Sequence, residues 1–112
     1  LSAKGSVSSA AGNLRLEASP VTIQSGIFFH GVNQIQLPFG DGFRCTSGDI
    51  VRGVVVPGAG NVARYVYDNS DQEHSLAGFS NTTRNFQYWF RDIMGGGALY
   101  NTSNAISIPI LP

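Results

Sequence analysis

From Asn13 onward, apolar and polar positions alternate with a period of two over short stretches separated by turn residues. This is the pattern of β-strands with one wet face. Leu14, Leu16 and Ala18 alternate with Arg15 and Glu17. Ile27-Phe28-Phe29, set between Gly26 and Gly31, predicts a short strand buried on both faces. Gln34-Ile35-Gln36-Leu37 alternates again and stops at Pro38, which lacks a ladder donor. Residues 50–56 are rich in β-branched side chains, with Gly53 as a candidate bulge, and residues 62–67 form the returning strand. Residues 84–92 place Phe86, Tyr88 and Phe90 on one face and Gln87 and Trp89 on the other. Ile106, Ile108 and Ile110 mark the last strand.

The connections carry turn residues. Residues 39–45 read as a tight turn between the aromatic anchors Phe39 and Phe43, and residues 57–61 as a loop. A polar turn spans 68–75, a short helical turn follows around 75–78, and Gly95-Gly96-Gly97 breaks the chain. No helical amphipathic stretch occurs. About seven or eight such strands predict a single all-β domain over residues 1–112, an antiparallel β-sandwich of Ig-like or Greek-key type. An open Greek-key barrel is the alternative. The expected core is Phe28, Phe86, Tyr88, Phe90, Ile106 and Ile108. Residues 1–11, Ser- and Ala-rich, are expected as a flexible arm or an edge strand.

Composition narrows the class. Apolar residues make up 42% of the 112, enough for a core, and charged residues only 12%, too few for a charge-rich disordered segment. Seven basic and seven acidic residues cancel, so no nucleic-acid partner is expected on phosphate electrostatics. The 14 Gly, with 12 Ser, 5 Thr and 8 Asn, give turns and a neutral hydroxyl- and amide-rich exterior, suited to a secreted or cell-surface protein. No apolar run approaches the roughly 18 residues of a membrane span, and membrane insertion is not expected. Leu1-Ser2-Ala3-Lys4-Gly5 lacks the order of a signal peptide, so an exported form would be mature or an excised module.

Few motifs carry chemistry. Gly58-Ala59-Gly60-Asn61-Val62-Ala63 fits a dinucleotide fingerprint, but strand-like residues follow where a helix must open, so we read a hairpin loop and expect no cofactor. Ser75 beside His74 is no catalytic pair by adjacency alone, His30 and His74 have no zinc spacing, and no catalytic centre is expected. Asp68, Asp71 and Glu73 gather carboxylates in one turn and are weak calcium candidates against a capping role. Trp89, with Tyr65 and Tyr67, is a candidate stacking platform for a cell-surface glycan. Asn81 and Asn101 head two glycosylation sequons.

Two long blocks resemble a secreted module found in large extracellular proteins of environmental bacteria. They are Gly26-Ile27-Phe28-Phe29-His30-Gly31-Val32-Asn33-Gln34-Ile35-Gln36-Leu37-Pro38-Phe39-Gly40-Asp41-Gly42-Phe43-Arg44-Cys45 and Asn85-Phe86-Gln87-Tyr88-Trp89-Phe90-Arg91-Asp92. Gly12-Asn13-Leu14-Arg15-Leu16-Glu17-Ala18-Ser19 is similar to its opening strand. The resemblance implies export and an all-β fold, and no catalytic residues. Such modules carry a second Cys near the C-terminus, where this chain has Ile108-Pro109-Ile110-Leu111-Pro112. The lone Cys45 is therefore expected as a buried small hydrophobe.

These features lead to a non-catalytic extracellular structural or adhesive module, self-associating through edge strands into a filament or surface layer. Val7 in the arm and Ile106, Ile108 and Ile110 in a last strand guarded only by Pro109 are the expected assembly edge. A carbohydrate-binding module is the alternative, and an enzyme the third class.

Overall fold

The alternation within one long strand, Thr82–Asp92, organises both faces of the molecule in the computed structural model. The structure describes residues 1–71, 73–93 and 96–112. Gly95, the first of the expected glycine break, lies outside the described residues, as do Gln72 of the polar turn and Met94. The strands are β1 Ser2–Lys4, β2 Leu14–Ala18, β3 Gly26–Gly31, β4 Asn33–Phe39 and β5 Gly42–Ser47. They continue with β6 Val51–Val55, β7 Ala63–Tyr67, β8 Thr82–Asp92, β9 Leu99–Thr102 and β10 Ile106–Ile110. A single 3-10 turn, Ala77–Phe79, precedes β8. Ten strands among the described residues exceed the expected seven or eight, because the arm, the 39–45 segment and residues 99–102 also pair.

All the pairings between strands are antiparallel. One sheet has the order β1-β2-β7, and a second has β10-β8-β3-β6, with β9 on the far half of β8. β4 and β5 form a separate hairpin. The two main sheets share one core. Leu14, Leu16 and Ala18 of β2 and Ala63 and Tyr67 of β7 meet Phe28 of β3, Phe86, Tyr88 and Phe90 of β8, and Ile108 and Ile110 of β10. The expected core residues are buried apart from Ile106, which is half-buried and packs against the cluster. Gly53 lies at the bulge, since one residue of β3 between the paired Ile27 and Phe29 opposes two of β6, Gly53 and Val54, between the paired Arg52 and Val55. At the 57–61 loop, Gly60 and Asn61 both have positive φ (58° and 67°) between reciprocal Ala59–Val62 hydrogen bonds, a two-residue hairpin turn. The Ser19–Pro20 peptide is cis.

Of the two alternatives for residues 1–11, the edge strand is the one formed, by residues 2–4 on β2. The other chain end differs from expectation. Ile106, Ile108 and Ile110 do lie on one face, but that face is the domain's own core, and β10 pairs with β8. Leu111 donates its N–H to Val7 O (2.9 Å), and its carbonyl accepts from Ser9 N (2.6 Å). Pro109 shares this outward row by strand parity, at a point where an edge would otherwise present a donor. Val7 also packs against the core. The expected assembly edge is thus consumed within the domain, by pairing, capping and burial.

One buried polar pair sits in this core. Arg84, 3% exposed, donates from Nε to His30 Nδ1 at 2.8 Å and from Nη2 to Asp49 O at 2.9 Å, with its guanidinium 4.6 Å from the Phe79 ring centre. Guanidinium only donates, so Nδ1 must accept and the imidazole is neutral. Phe79 and Phe86 enclose the ring at 4.9 Å each. Burial first, then the adjacent Arg84 charge, push the His30 pKa down from 6.5 to about 3. The unfolded chain therefore takes up this proton more readily, and stability falls as pH drops from about 6.5 towards 3. At roughly 1.4 kcal/mol per pH unit the full loss is about 4–5 kcal/mol. Asp68 and Asp71, held low by Ser70 and His74 hydrogen bonds, add their own loss only as pH falls through their lowered values, below 3.8. Denaturant melts from pH 7 to 4 should show this slope, and His30→Gln, which keeps an acceptor for Arg84 without a titrating ring, should flatten it. An unchanged slope in that variant would assign the loss elsewhere.

Candidate functional site

Because β8 alternates, the face opposite the core carries Asn85, Gln87, Trp89 and Arg91. Register extends this face into two cross-strand rows. Trp89 lies beside Ile27, which lies beside Val55; Gln87 lies beside Phe29, which lies beside Arg52. The β4–β5 hairpin lies over part of this surface and is fixed there by Gln87, which is fully buried. Its side-chain amide accepts from Cys45 N (2.9 Å) and donates to Phe43 O (2.7 Å) and Ser103 O (2.6 Å). Thr46 adds a bond from its hydroxyl to Asn85 O at 3.1 Å.

Docked in this way, the hairpin brings Phe39 to Trp89. Phe39, Trp89 and Tyr100 of β9 form a three-ring cluster with centroids 5.0–6.0 Å apart, all edge-to-face. All three rings are half-buried. Two recesses of about 420 Å³ each share Trp89 and Tyr100. The first is apolar, with Ile27, Val55 and Leu99 on its walls and Arg91 at its side. The second is lined by Phe29, Phe39, Ile50, Arg44 and Arg52. Volumes of this size suit a small ligand or a few units of a polymer. Among the described residues, no His, Cys, Asp or Glu lines either recess, and the lining offers shape, aromatic surface and cationic donors.

Leu99, at the edge of the first recess, has φ 74°. A branched apolar residue in this left-handed region is a real outlier, and such strain persists where surrounding structure holds it. Its pairing opposite Asp92 and the contacts of neighbouring Tyr100 supply that hold.

The stacking platform expected at Trp89, Tyr65 and Tyr67 is not assembled. Trp89 faces outward from one sheet, whereas Tyr67 is 3% exposed in the core and Tyr65, in edge contact with it at 4.8 Å, packs against the same core. Burial also raises the Tyr67 and Tyr65 pKa values above the usual phenol value. The partners of Trp89 are instead Phe39 and Tyr100, eleven residues after Trp89 and separated from it by a glycine-rich stretch. The Phe39 anchor and the alternation in β6 that turns out Arg52 were the sequence signals.

The remaining candidates are placed as follows. Asp68 accepts from Ser70 N and Oγ, Asp71 binds His74 Nδ1 at 2.8 Å, and Glu73 is exposed. Among the described residues, no three His, Cys, Asp or Glu come together as a metal site. The Ser75 hydroxyl donates to Asn69 Oδ1 at 3.0 Å, so it is not paired with His74. Cys45 is half-buried, not fully buried as expected, because neighbouring Thr46 takes the inward row of β5. It lines a third recess of mixed character with Gln34, Ile35, Asn85, Ile106 and Ser107.

Asn81 is exposed in a turn before β8, whereas Asn101 is half-buried, with Nδ2 donating to Asp92 Oδ2 (3.2 Å) and Oδ1 accepting from Thr102 N (2.8 Å). Compared with known proteins, the chain matches no family model, no curated protein and no solved structure.

Two outcomes are expected. Gln87→Leu leaves Cys45 N–H and Ser103 C=O without their partner, while Phe43 C=O keeps Thr102 Oγ1 (2.7 Å), and should lower unfolding stability by about 2–4 kcal/mol, read by urea melts. It should also release the hairpin, seen as loss of amide protection at Cys45 in hydrogen exchange. In a glycosylating host, intact-mass analysis of single Asn→Gln variants should locate any glycan at Asn81 and none at Asn101.

Proposed function

We propose that this chain is a non-catalytic recognition module of the cell exterior that binds carbohydrate on the outer face of its larger sheet. The observation that carries the reading is the Phe39–Trp89–Tyr100 cluster flanked by two recesses. Aromatic rings present broad apolar surface with a polar edge, suited to the C–H faces of a sugar ring. Arginine side chains at the walls supply donors for hydroxyl oxygens. The neutral, amide-rich surface and the resemblance to a secreted module support an extracellular setting.

A second reading, a self-assembling structural module, draws on a different observation. With β10 capped, β1, β6 and β7 remain as strands that end their sheets, and Val55 (64% exposed) and Val66 (41%) lie on β6 and β7. Adding a neighbour's strand there satisfies edge groups and covers apolar side chains. The expected result under the first reading is a monomer in light scattering at millimolar concentration; concentration-dependent growth in mass favours the second.

Trp89 is the only tryptophan in the chain, so its fluorescence reports on the site directly. Titration with a panel of neutral and charged oligosaccharides should shift this emission saturably. Because the signal is lost with the residue, Trp89→Ala is read by calorimetry; it should weaken binding at least tenfold, equivalent to about 1.4 kcal/mol, while Tyr65→Phe should not. Equal binding by Trp89→Ala would place the site elsewhere, and no binding by any panel member would reject the reading.

A further inference from the structure

We infer that the sugar taken at this site is anionic, carrying a carboxylate or sulfate that Arg44 and Arg52 receive beside the aromatic cluster. The inference rests on the carbohydrate-binding reading and gives that site its ligand class.

Charge placement carries the argument. Of the six arginines, Arg15 and Arg64 both pair with Glu17, at 3.1 and 3.2 Å, on the outer surface of the β1-β2-β7 sheet. Arg84 is buried against His30. The other three, Arg44, Arg52 and Arg91, make no ion pair among the described residues, and all three line the two recesses. Arg44 and Arg52 converge on one of them from different strands, β5 and β6. Arg44 Nε is buried without a hydrogen-bond partner, while its guanidinium lies 6.0 Å from the Phe39 ring centre. A desolvated donor in a recess is stabilised by an acceptor, and an anionic one is favoured most.

Carboxylates of the adjoining segments do not line the recesses: Asp41 Oδ1 accepts from Ala98 N (3.2 Å) with Oδ2 buried and without a partner, Asp92 Oδ2 accepts from Asn101 Nδ2 (3.2 Å), and Asp49 precedes β6. Guanidinium forks match carboxylate and sulfate oxygens in two-point contacts that a neutral hydroxyl cannot reproduce. Single-stranded nucleic acid also combines rings and negative charge. It is disfavoured because the only lysine, Lys4, lies on β1 at the edge of the opposite sheet, leaving three cations on this face without a basic track for a phosphate backbone.

The test titrates the intact protein, by Trp89 fluorescence and calorimetry, with four probes. These are uronic-acid hexasaccharides (galacturonate, glucuronate, mannuronate), the methyl ester of each, a galactan hexasaccharide in sulfated and neutral forms, and hexathymidylate. The expected result is binding of an acidic sugar at least tenfold tighter than its ester or the neutral galactan, weakening with salt. Tighter binding of the uronate or of the sulfated sugar identifies which anion is recognised, and either supports the proposal. Arg44→Met and Arg52→Met should each lower acidic-sugar affinity at least fivefold and ester affinity by a clearly smaller factor, so that the preference for acid over ester shrinks. Circular dichroism and melting temperature close to those of the parent confirm that the variants are folded; if either misfolds, Arg44→Lys and Arg52→Lys, with a smaller loss, replace them.

Equal affinity for acid and ester overturns the charge inference and leaves the carbohydrate reading standing. Failure of every sugar overturns both. Tighter binding of hexathymidylate than of any sugar replaces both with a nucleic-acid site.

Discussion

The side-chain amide of Gln87 stands where a strand would have to stand. The free edge of β5 presents Phe43 C=O and Cys45 N–H, the donor–acceptor pair that a neighbouring strand normally satisfies, and Gln87 supplies both partners from the face of β8. Its remaining N–H holds Ser103 in the β9–β10 connection. A buried backbone group without a partner costs about 1–3 kcal/mol, so the hairpin and the sheet are tied by a polar residue that no apolar side chain can replace. The outer face is built on this tie, which Thr46 Oγ1 to Asn85 O, Thr102 Oγ1 to Phe43 O and Asp41 N to Tyr100 O reinforce. Only with the hairpin docked does Phe39 reach Trp89 and Arg44 face Arg52. Without it, Ile27, Phe29 and Trp89 would form an open apolar surface on water.

Net charge is a poor guide to this face. Seven positive and seven negative residues cancel, which excludes a surface covered in cations. The cancellation is not local. Three carboxylates, Asp68, Asp71 and Glu73, lie together in the β7–β8 connection, and Glu17 is shared by two arginines on the other sheet. What is left over on the outer face is positive, and it consists of arginine, whose planar fork and weak hydration let it sit against Phe39 and still donate. The same residue type has a structural role at Arg84. There, carbonyl oxygens, a neutral imidazole and an aromatic ring replace the carboxylate that a buried cation usually requires.

The sequence was most legible where local periodicity and burial coincide. Phe86, Tyr88 and Phe90 read as one face, and they form the middle of the core. The Gly60-Asn61 turn was readable because its chemistry is local. Ile106, Ile108 and Ile110 were read correctly as a face and incorrectly as a surface seeking a partner, because alternation says which residues travel together and not what covers them. Tyr65 and Tyr67 failed as glycan contacts for the same reason. Phe39 was legible as an anchor but not as the partner of Trp89, since it is fifty residues away in sequence and reaches it only through the docking of a hairpin whose own strand β4 is almost wholly exposed. Alternation within β4 carries no signal for the face on which that hairpin lies.

β8 thus carries two different kinds of constraint on alternate residues. Phe86, Tyr88 and Phe90 hold the two main sheets together, and between them Gln87 and Trp89 build the outer face. A strand divided this way lets surface chemistry vary without disturbing the core, because neighbouring side chains point into separate layers. The division ends at β9, where Leu99 has a left-handed backbone and is 57% exposed at the edge of a recess. Folding alone has no use for a strained, exposed leucine there, since glycine or asparagine would take the same backbone at lower cost. Leu99 extends the apolar wall beside Tyr100 and Trp89, and under the proposed carbohydrate reading a ligand there would cover it.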